Sequence, residues 1–285
     1  MSKFVISAFA DEIDKDLTVQ MDVLDKHGVK FIEMRGVNGK GLVNHTLDEV
    51  RQIKEQLDTR GFKLSSVGSP LGKIKITDDF EPHMDLFLHT LEIAKILETK
   101  YIRMFSFFMP KGEDPKNYRE EVINRWNRFI NASENFDVIL LHENEKDIYG
   151  DTAERCLDLM EALNSPKVRM VFDPANFVQC NEQTYPNAYE LLKDHSEYMH
   201  IKDALYSDRS VTPAGYGDGK VKEILTKLYE RGFDGFLSLE PHLNSFTEYS
   251  KLELNPEVLN MPDGGPKRFA AAKKALDDIT NEIVV

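Results

Sequence analysis

Cysteine is scarce, with Cys156 and Cys180 the only two in 285 residues and far apart along the chain. No disulfide framework is expected, and with no cleavable signal pattern a reducing, cytoplasmic setting fits. Long apolar runs are missing too: nothing approaches the roughly 18 to 20 residues that a membrane-spanning helix needs. The opening MSKFVISAFADEID is a short apolar stretch broken by acids, which reads as a first strand. Basic residues are outnumbered, 36 Lys and Arg against 49 Asp and Glu, and the resulting formal charge of −13 disfavours nucleic acid and anionic membrane surfaces as partners. Gly and Pro number only 16 and 12, too few for a disordered or collagenous chain.

What is present is an alternation of short β-rich runs with amphipathic segments. Candidate strands are 4–10, 31–36, 63–69, 101–108, 137–143, 168–173, 197–203 and 233–240. Between them Leu47, Val50, Ile53 and Leu57 share a helical face, as do Val122, Trp126, Phe129 and Ile130, and Ala153, Cys156, Leu157 and Met160. Thr46 followed by Glu49 is a capping box, and Gly28, Gly61 and Gly232 each stand between a helix and the next strand. Eight strand-then-helix units in 285 residues predict a (β/α)8 TIM barrel, a single domain over residues 1–285. The competing open doubly wound sheet is weakened because VISAFADEID, and no GxGxxG, occupies the first turn. The irregular stretch from Asn244 to Pro266 reads as a loop over one barrel face.

Barrel enzymes place their chemistry at the C-terminal ends of the strands. Glu143, Asp173, His200 and Glu240 stand at or near four successive ends, separated by 30, 27 and 40 residues. Period-two alternation allows each to point inward, Glu240 with Ser238 and Phe236, and Asp173 with Val171, but does not choose the inward face. Three carboxylates and an imidazole would suit one divalent ion, Mn2+, Mg2+ or Co2+, with Zn2+ also accommodated. The alternative is that these acids merely pair with Arg35, Arg103 and Lys202.

The strings LLHENEKDIYGDT, VFDPANF, MHIKD and LSLEPH, with SSVGSPLGKI and PAGYGDG, occur in an order that resembles the xylose isomerase-like TIM-barrel family of sugar phosphate isomerases and epimerases. The resemblance covers nearly the whole chain. It implies that Glu143, Asp173, His200 and Glu240 hold a divalent metal and that Glu143 and Glu240 double as the proton-transferring pair. The implied function is a metal-dependent isomerase or epimerase of a sugar, sugar phosphate or polyol, working through a metal-stabilised enediolate. Many relatives with epimerase activity carry His three residues after the strand-six Asp, whereas this chain has Asn176, which can hydrogen-bond a hydroxyl but cannot titrate near neutrality. An inosose-type dehydratase would share the first step. An endonuclease IV-type repair hydrolase would need several His ligands that SSVGS at strand three does not supply, and a non-catalytic sugar-binding protein would have little reason to keep all four ligands.

Other residues invite a role. Lys202 shares the parity of His200 and is expected to face substrate, where its charge could stabilise an enolate oxygen. Asn176 and Arg209 are further substrate-binding candidates. Glu33, Arg35 and Arg103 face either substrate or one another in a buried charge network. His142 has the opposite parity to Glu143 and should face the helix layer. GYGDG lacks a Walker ending and reads as a turn near the active-site face, and exposed barrel helices commonly support a homodimer.

Overall fold

The computed structural model describes residues 4–249, 252 and 254–283. Each predicted strand forms, all ending earlier than expected except the one that ends at Glu143: β1 (Val5–Ala8), β2 (Phe31–Met34), β3 (Lys63–Gly68), β4 (Tyr101–Met104), β5 (Ile139–Glu143), β6 (Val168–Phe172), β7 (Ser196–Ile201) and β8 (Phe236–Leu239). They close into one barrel in chain order, every neighbouring pair parallel, with β8 returning to β1 through Val5 opposite Phe236. The principal connectors are α1 (Leu17–Lys26), α2 (Leu47–Thr59), α3 (Glu81–Ile96), α4 (Arg119–Ala132), α5 (Ala153–Leu163), α6 (Pro174–Gln179), α7 (Val221–Glu230) and α8 (Gly265–Ile283). The fold is therefore a (β/α)8 TIM barrel. Among the described residues no helix is long and apolar enough to cross a membrane.

Local signals act as expected. The Thr46 hydroxyl accepts from the Glu49 N–H while the Glu49 carboxylate accepts from the Thr46 N–H, closing the capping box. Gly28, Gly61 and Gly232 all take the left-handed conformation that ends a helix, with φ of 68°, 68° and 76°. Differences also have physical causes. The predicted strand 101–108 stops at Met104, where the Phe105 N–H turns to the carbonyl of Leu71, and Phe107 beyond it adopts φ 67°. The 197–203 strand ends at Ile201, and Asp203–Ala204 instead pairs with Val211–Thr212 in a small hairpin. The long segment before α8 packs Gly265 against the carbonyls of Glu12 and Ile13, just beyond the C-terminal end of β1, where any Cβ would clash at 2.0 Å. Residues 250, 251 and 253 of that segment lie outside the described residues.

The alternation that sequence left open is resolved by packing. Leu140, Met170, Phe172, Met199, Ile201, Leu237 and Leu239 join the large core between sheet and helices. Leu141, Val171 and Tyr198 form a separate cluster with Tyr101, Ile139 and Phe236, which fills the barrel itself. Hydrogen bonds between Ser7 and Ser65 and between Ser65 and Tyr198 link strands that are not neighbours, so these side chains must cross the interior.

Above the strands, the segments following β3, β4 and β5 bond to one another through main chain. The N–H groups of Phe105, Phe107 and Phe108 donate to the carbonyls of Leu71, Gly72 and Ile74, and that of Met109 donates to Asp147. Gly72 is required here, because a Cβ would lie 2.0 Å from the Phe105 oxygen. Its own N–H donates to Nε2 of buried His83 at 2.7 Å, so the ring must be unprotonated there, and burial with help from Arg125 holds His83 down at about 4.

An unfolded histidine takes up its proton near pH 6.5. Between that pH and about 4 the unfolded chain binds a proton that folded His83 refuses, so this contribution to stability is complete above pH 6.5 and is lost as pH falls through the window. Urea denaturation should show wild type losing more stability from pH 7 to pH 5 than His83→Asn does. Equal losses in the two proteins would remove His83 from the account.

Candidate metal centre

On β5, β6, β7 and β8 the interior parity continues upward from Leu141 to Glu143, Val171 to Asp173, Tyr198 to His200 and Ser238 to Glu240. These four residues converge: one donor atom from each lies within 4.8 Å of all the others, and all are buried. His200 is central, with Nδ1 3.1 Å from Glu143 Oε1 and 3.6 Å from both Asp173 Oδ2 and Glu240 Oε2.

The DPANF motif holds its acid rigidly. Asp173 is the N-cap of α6, its Oδ1 accepting from the Asn176 N–H at 2.9 Å, with Pro174 at the first helical position. Its main chain is clamped by Asn144, whose amide donates to the Asp173 carbonyl and whose Oδ1 accepts from the Asp173 N–H. Only Oδ2 is left to face the centre. That atom and His200 Nδ1 are buried without a directed hydrogen bond, although Lys202 Nζ stands 2.9 Å from Oδ2. Buried polar atoms rarely lack a partner. Asp173 Oδ2, met only by the Lys202 ammonium, and His200 Nδ1 in an oxygen-rich set with one imidazole fit a divalent cation, and Mn2+, Mg2+, Co2+ and Zn2+ all accept such ligands.

The ion pairs that sequence offered as the alternative form as well, but on different oxygens. Glu143 turns Oε1 to His200 and Oε2 to Arg103 at 3.1 Å. Glu240 turns Oε2 to Lys202 at 2.6 Å and Oε1 to Arg35 at 3.3 Å. Burial alone would raise both carboxyls, yet His200 and Arg103 hold Glu143 well below the usual range, and Lys202, His242 and His200 do the same for Glu240. Burial likewise opposes the charge on Lys202 and is outweighed by Asp173 and Glu240, which raise it.

A cavity of about 180 Å3 opens over this cluster, lined among others by Glu143, Glu240, Lys202, Asn176, Arg35 and Arg103. Asp173 and His200 are not in its lining. A larger cavity of about 590 Å3 lies at the other end of the barrel, beside Lys100 and Val138 just before β4 and β5, and is remote from the cluster.

The remaining expectations divide. Lys202 reaches the site. Asn176 lines the cavity, but both of its amide hydrogens are engaged, on Glu143 Oε1 at 3.0 Å and the Asn144 carbonyl at 2.9 Å, so toward a substrate only its oxygen is open. Arg209 is not brought in: it is exposed and its side chain donates to the carbonyls of Val178 and Gln179 at the end of α6, a helix-capping arrangement. His142 faces outward as parity required, bonded to Ser106 and edge-on to Trp126. The glycines of GYGDG serve Asp203, whose buried carboxylate accepts from the N–H groups of Ala204, Gly215, Gly217 and Gly219 at 2.7 to 3.2 Å. Burial outweighs these bonds and raises Asp203 to about 6. A Cβ at Gly217 or Gly219 would fall within 2.6 Å of that carboxylate.

Glu33, read from the sequence as facing substrate or a charge network with Arg35 and Arg103, is instead fully buried on β2 with the far nitrogen of His200 at 3.1 Å. Parity with Phe31 and Arg35 marks it as inward, but nothing local names a partner on β7.

A parallel barrel with a carboxylate-rich candidate metal centre at the C-terminal ends of its strands defines the class. The family model described as xylose isomerase-like TIM barrel matches residues 21–260, and the chain belongs to that family. No curated protein matches it in sequence. Among solved structures the fold is similar to the IolI protein with a bound zinc atom, at 19% identity and TM-score 0.73 over 99% of both chains. It is also similar to the probable 3-DHS dehydratase AsbF of Bacillus anthracis, at 16% identity and TM-score 0.73 over 96% of this chain and 98% of that one. A third is the 3-keto-D-glucoside 4-epimerase YcjR of E. coli, at 13% identity and TM-score 0.71 over 98% and 100%.

Asp173→Asn keeps the Oδ1 acceptor that caps α6 and removes the charge from the centre. After chelation, reloading with Mn2+ and dialysis, the variant should retain at least about tenfold less metal than wild type by elemental analysis, with its melting temperature little changed when both are metal-free. Equal metal content would remove Asp173 from the ligand set.

Proposed function

We propose that this protein is a metal-dependent isomerase or epimerase acting on a small ketose, keto-sugar or related polyol derivative. One observation carries the reading: of the four candidate ligands, only Glu143 and Glu240 also line the cavity, while Asp173 and His200 are fully buried. The four would hold the ion together, and the two glutamates would in addition face the substrate. When bound, a divalent ion supplies Lewis acidity that polarises a carbonyl and steadies the charge developing on its oxygen.

One glutamate removes the proton from the carbon next to the carbonyl, the C–H electron pair moves into the carbon skeleton and the carbonyl oxygen gains charge. Protonation of that carbon from its opposite face by the other glutamate inverts the centre. Protonation of the former carbonyl carbon, with the hydroxyl proton transferred between the oxygens, exchanges ketose for aldose. Loss of a β-hydroxyl from the same enolate would instead make the protein a dehydratase. Both glutamates are held ionised by neighbouring cations, as a proton acceptor requires. Lys202, buried at the cavity wall, would place an ammonium beside the developing oxyanion.

The small cavity suits a substrate near monosaccharide size rather than a polymer. A repair-nuclease reading finds little support: among the described residues the buried candidate cluster holds one histidine, and the net charge is −13.

Glu143→Gln and Glu240→Gln retain a carbonyl oxygen for coordination but cannot accept a proton. With a panel of ketoses and inososes in D2O containing Mn2+, wild type should wash deuterium into the carbon next to the carbonyl, read by proton NMR. Each variant should lose about 10² to 10⁴ in rate for one or both substrate epimers. Wild-type exchange in both variants would refute the acid/base assignment, and a product lacking a hydroxyl would identify the dehydratase.

A further inference from the structure

The imidazole of His200 has two nitrogens and can offer a lone pair from only one while the other bears a proton. Nδ1 faces Glu143, Asp173 and Glu240, whereas Nε2 lies 3.1 and 3.2 Å from the two oxygens of Glu33. An ionised carboxylate only accepts, so Nε2–H must donate to it. The ring is fixed in plane as well, with Phe9 edge-on at 5.1 Å and Tyr198 edge-on at 6.0 Å.

Glu33 is committed to His200, with both of its oxygens within 3.2 Å of Nε2. It is fully buried, and among the described residues no Lys or Arg pairs with it. Arg35, its neighbour of the same parity, turns instead to Asp11, Glu12 and Glu240. A buried carboxylate is expensive to keep unless it is paired, and here the His200 ring is the partner, through its N–H and through whatever positive charge the ring carries or draws from an ion on Nδ1.

We propose that Glu33 is a positioning residue, holding His200 as the Nε2–H tautomer so that Nδ1 is the atom presented to a divalent ion. This rests on reading Glu143, Asp173, His200 and Glu240 as the metal centre. Glu33 touches neither substrate nor ion; it sets which nitrogen binds, its direction and its basicity. The partner is reached from β2 across the barrel to β7, a pairing that closure of the sheet creates.

Chelator-stripped wild type and Glu33→Gln, which preserves shape, would be titrated with Mn2+ and free ion followed by electron paramagnetic resonance. The expected result is a 10- to 100-fold weaker affinity in the variant, and a smaller rise in melting temperature on adding saturating metal. A merely structural role would shift the melting temperature equally with and without metal. Affinity within twofold of wild type would overturn the proposal while leaving the metal centre standing; failure of wild type to bind Mn2+ would overturn both. Should Glu33→Gln fail to fold, nitrogen-15 NMR of wild type loaded with Zn2+ decides the matter. A proton on Nε2 of His200 and none on Nδ1 is expected, and the reverse tautomer would overturn the proposal.

Discussion

Four acids, Glu33, Glu143, Asp173 and Glu240, are buried together inside one end of the barrel, and balancing their charge governs what surrounds them. A lone carboxylate in such a place would take up a proton rather than remain an anion. Here Glu143 and Glu240 are driven the other way by Arg103, Lys202, Arg35 and His200. Each divides its two oxygens, one toward His200 and the other toward a guanidinium, so the arginines neutralise without occupying the centre. The candidate metal centre and the ion-pair network are thus one arrangement seen from two sides.

Such a cluster tolerates little movement, because Coulombic compensation weakens quickly once water enters. The fold answers with main-chain bracing. Asp173 is fixed by a helix cap below and by Asn144 alongside, and Asn176 uses both amide hydrogens to hold Glu143 and Asn144. Around the mouth the segments after β3, β4 and β5 share backbone hydrogen bonds, and the loop after β7 is gathered onto Asp203 by three glycine N–H groups. These devices belong to different crossovers and act on the same small space. Glu143 and Glu240 stand at rigid strand ends, whereas Lys73, Glu145, Lys146 and His242 bring further charge to the cavity from the loops.

Much of this was legible. Alternating β-rich and amphipathic runs, the Thr46 and Glu49 capping box and three helix-ending glycines are local signals, and local sterics and hydrogen bonding act on them wherever the chain lies. The four strand-end residues were legible for a related reason: a parallel barrel returns every strand in the same direction at nearly constant spacing, so equal position along each unit becomes equal height in the barrel. Arg209 is a substrate-binding candidate by sequence, but its left-handed backbone, φ 66°, and its hydrogen bonds to the Val178 and Gln179 carbonyls at the end of α6 turn it away. Phe107, inside the predicted 101–108 strand but beyond the end of β4, likewise adopts a backbone φ of 67° that its residue type does not announce.

The sequence by itself determined the order and kind of elements, predicted the closed barrel from their number, and marked the four strand-end residues as candidates, since these follow from periodicity and end signals. Only the tertiary structure decided which parity faces inward, which oxygen of each glutamate meets which cation, and that Glu33 stands behind His200. Those are relations between residues separated by as much as 205 positions, as in Arg35 with Glu240. They exist because closing the sheet brings distant strands across one interior only a few side chains wide, and no local propensity encodes that distance.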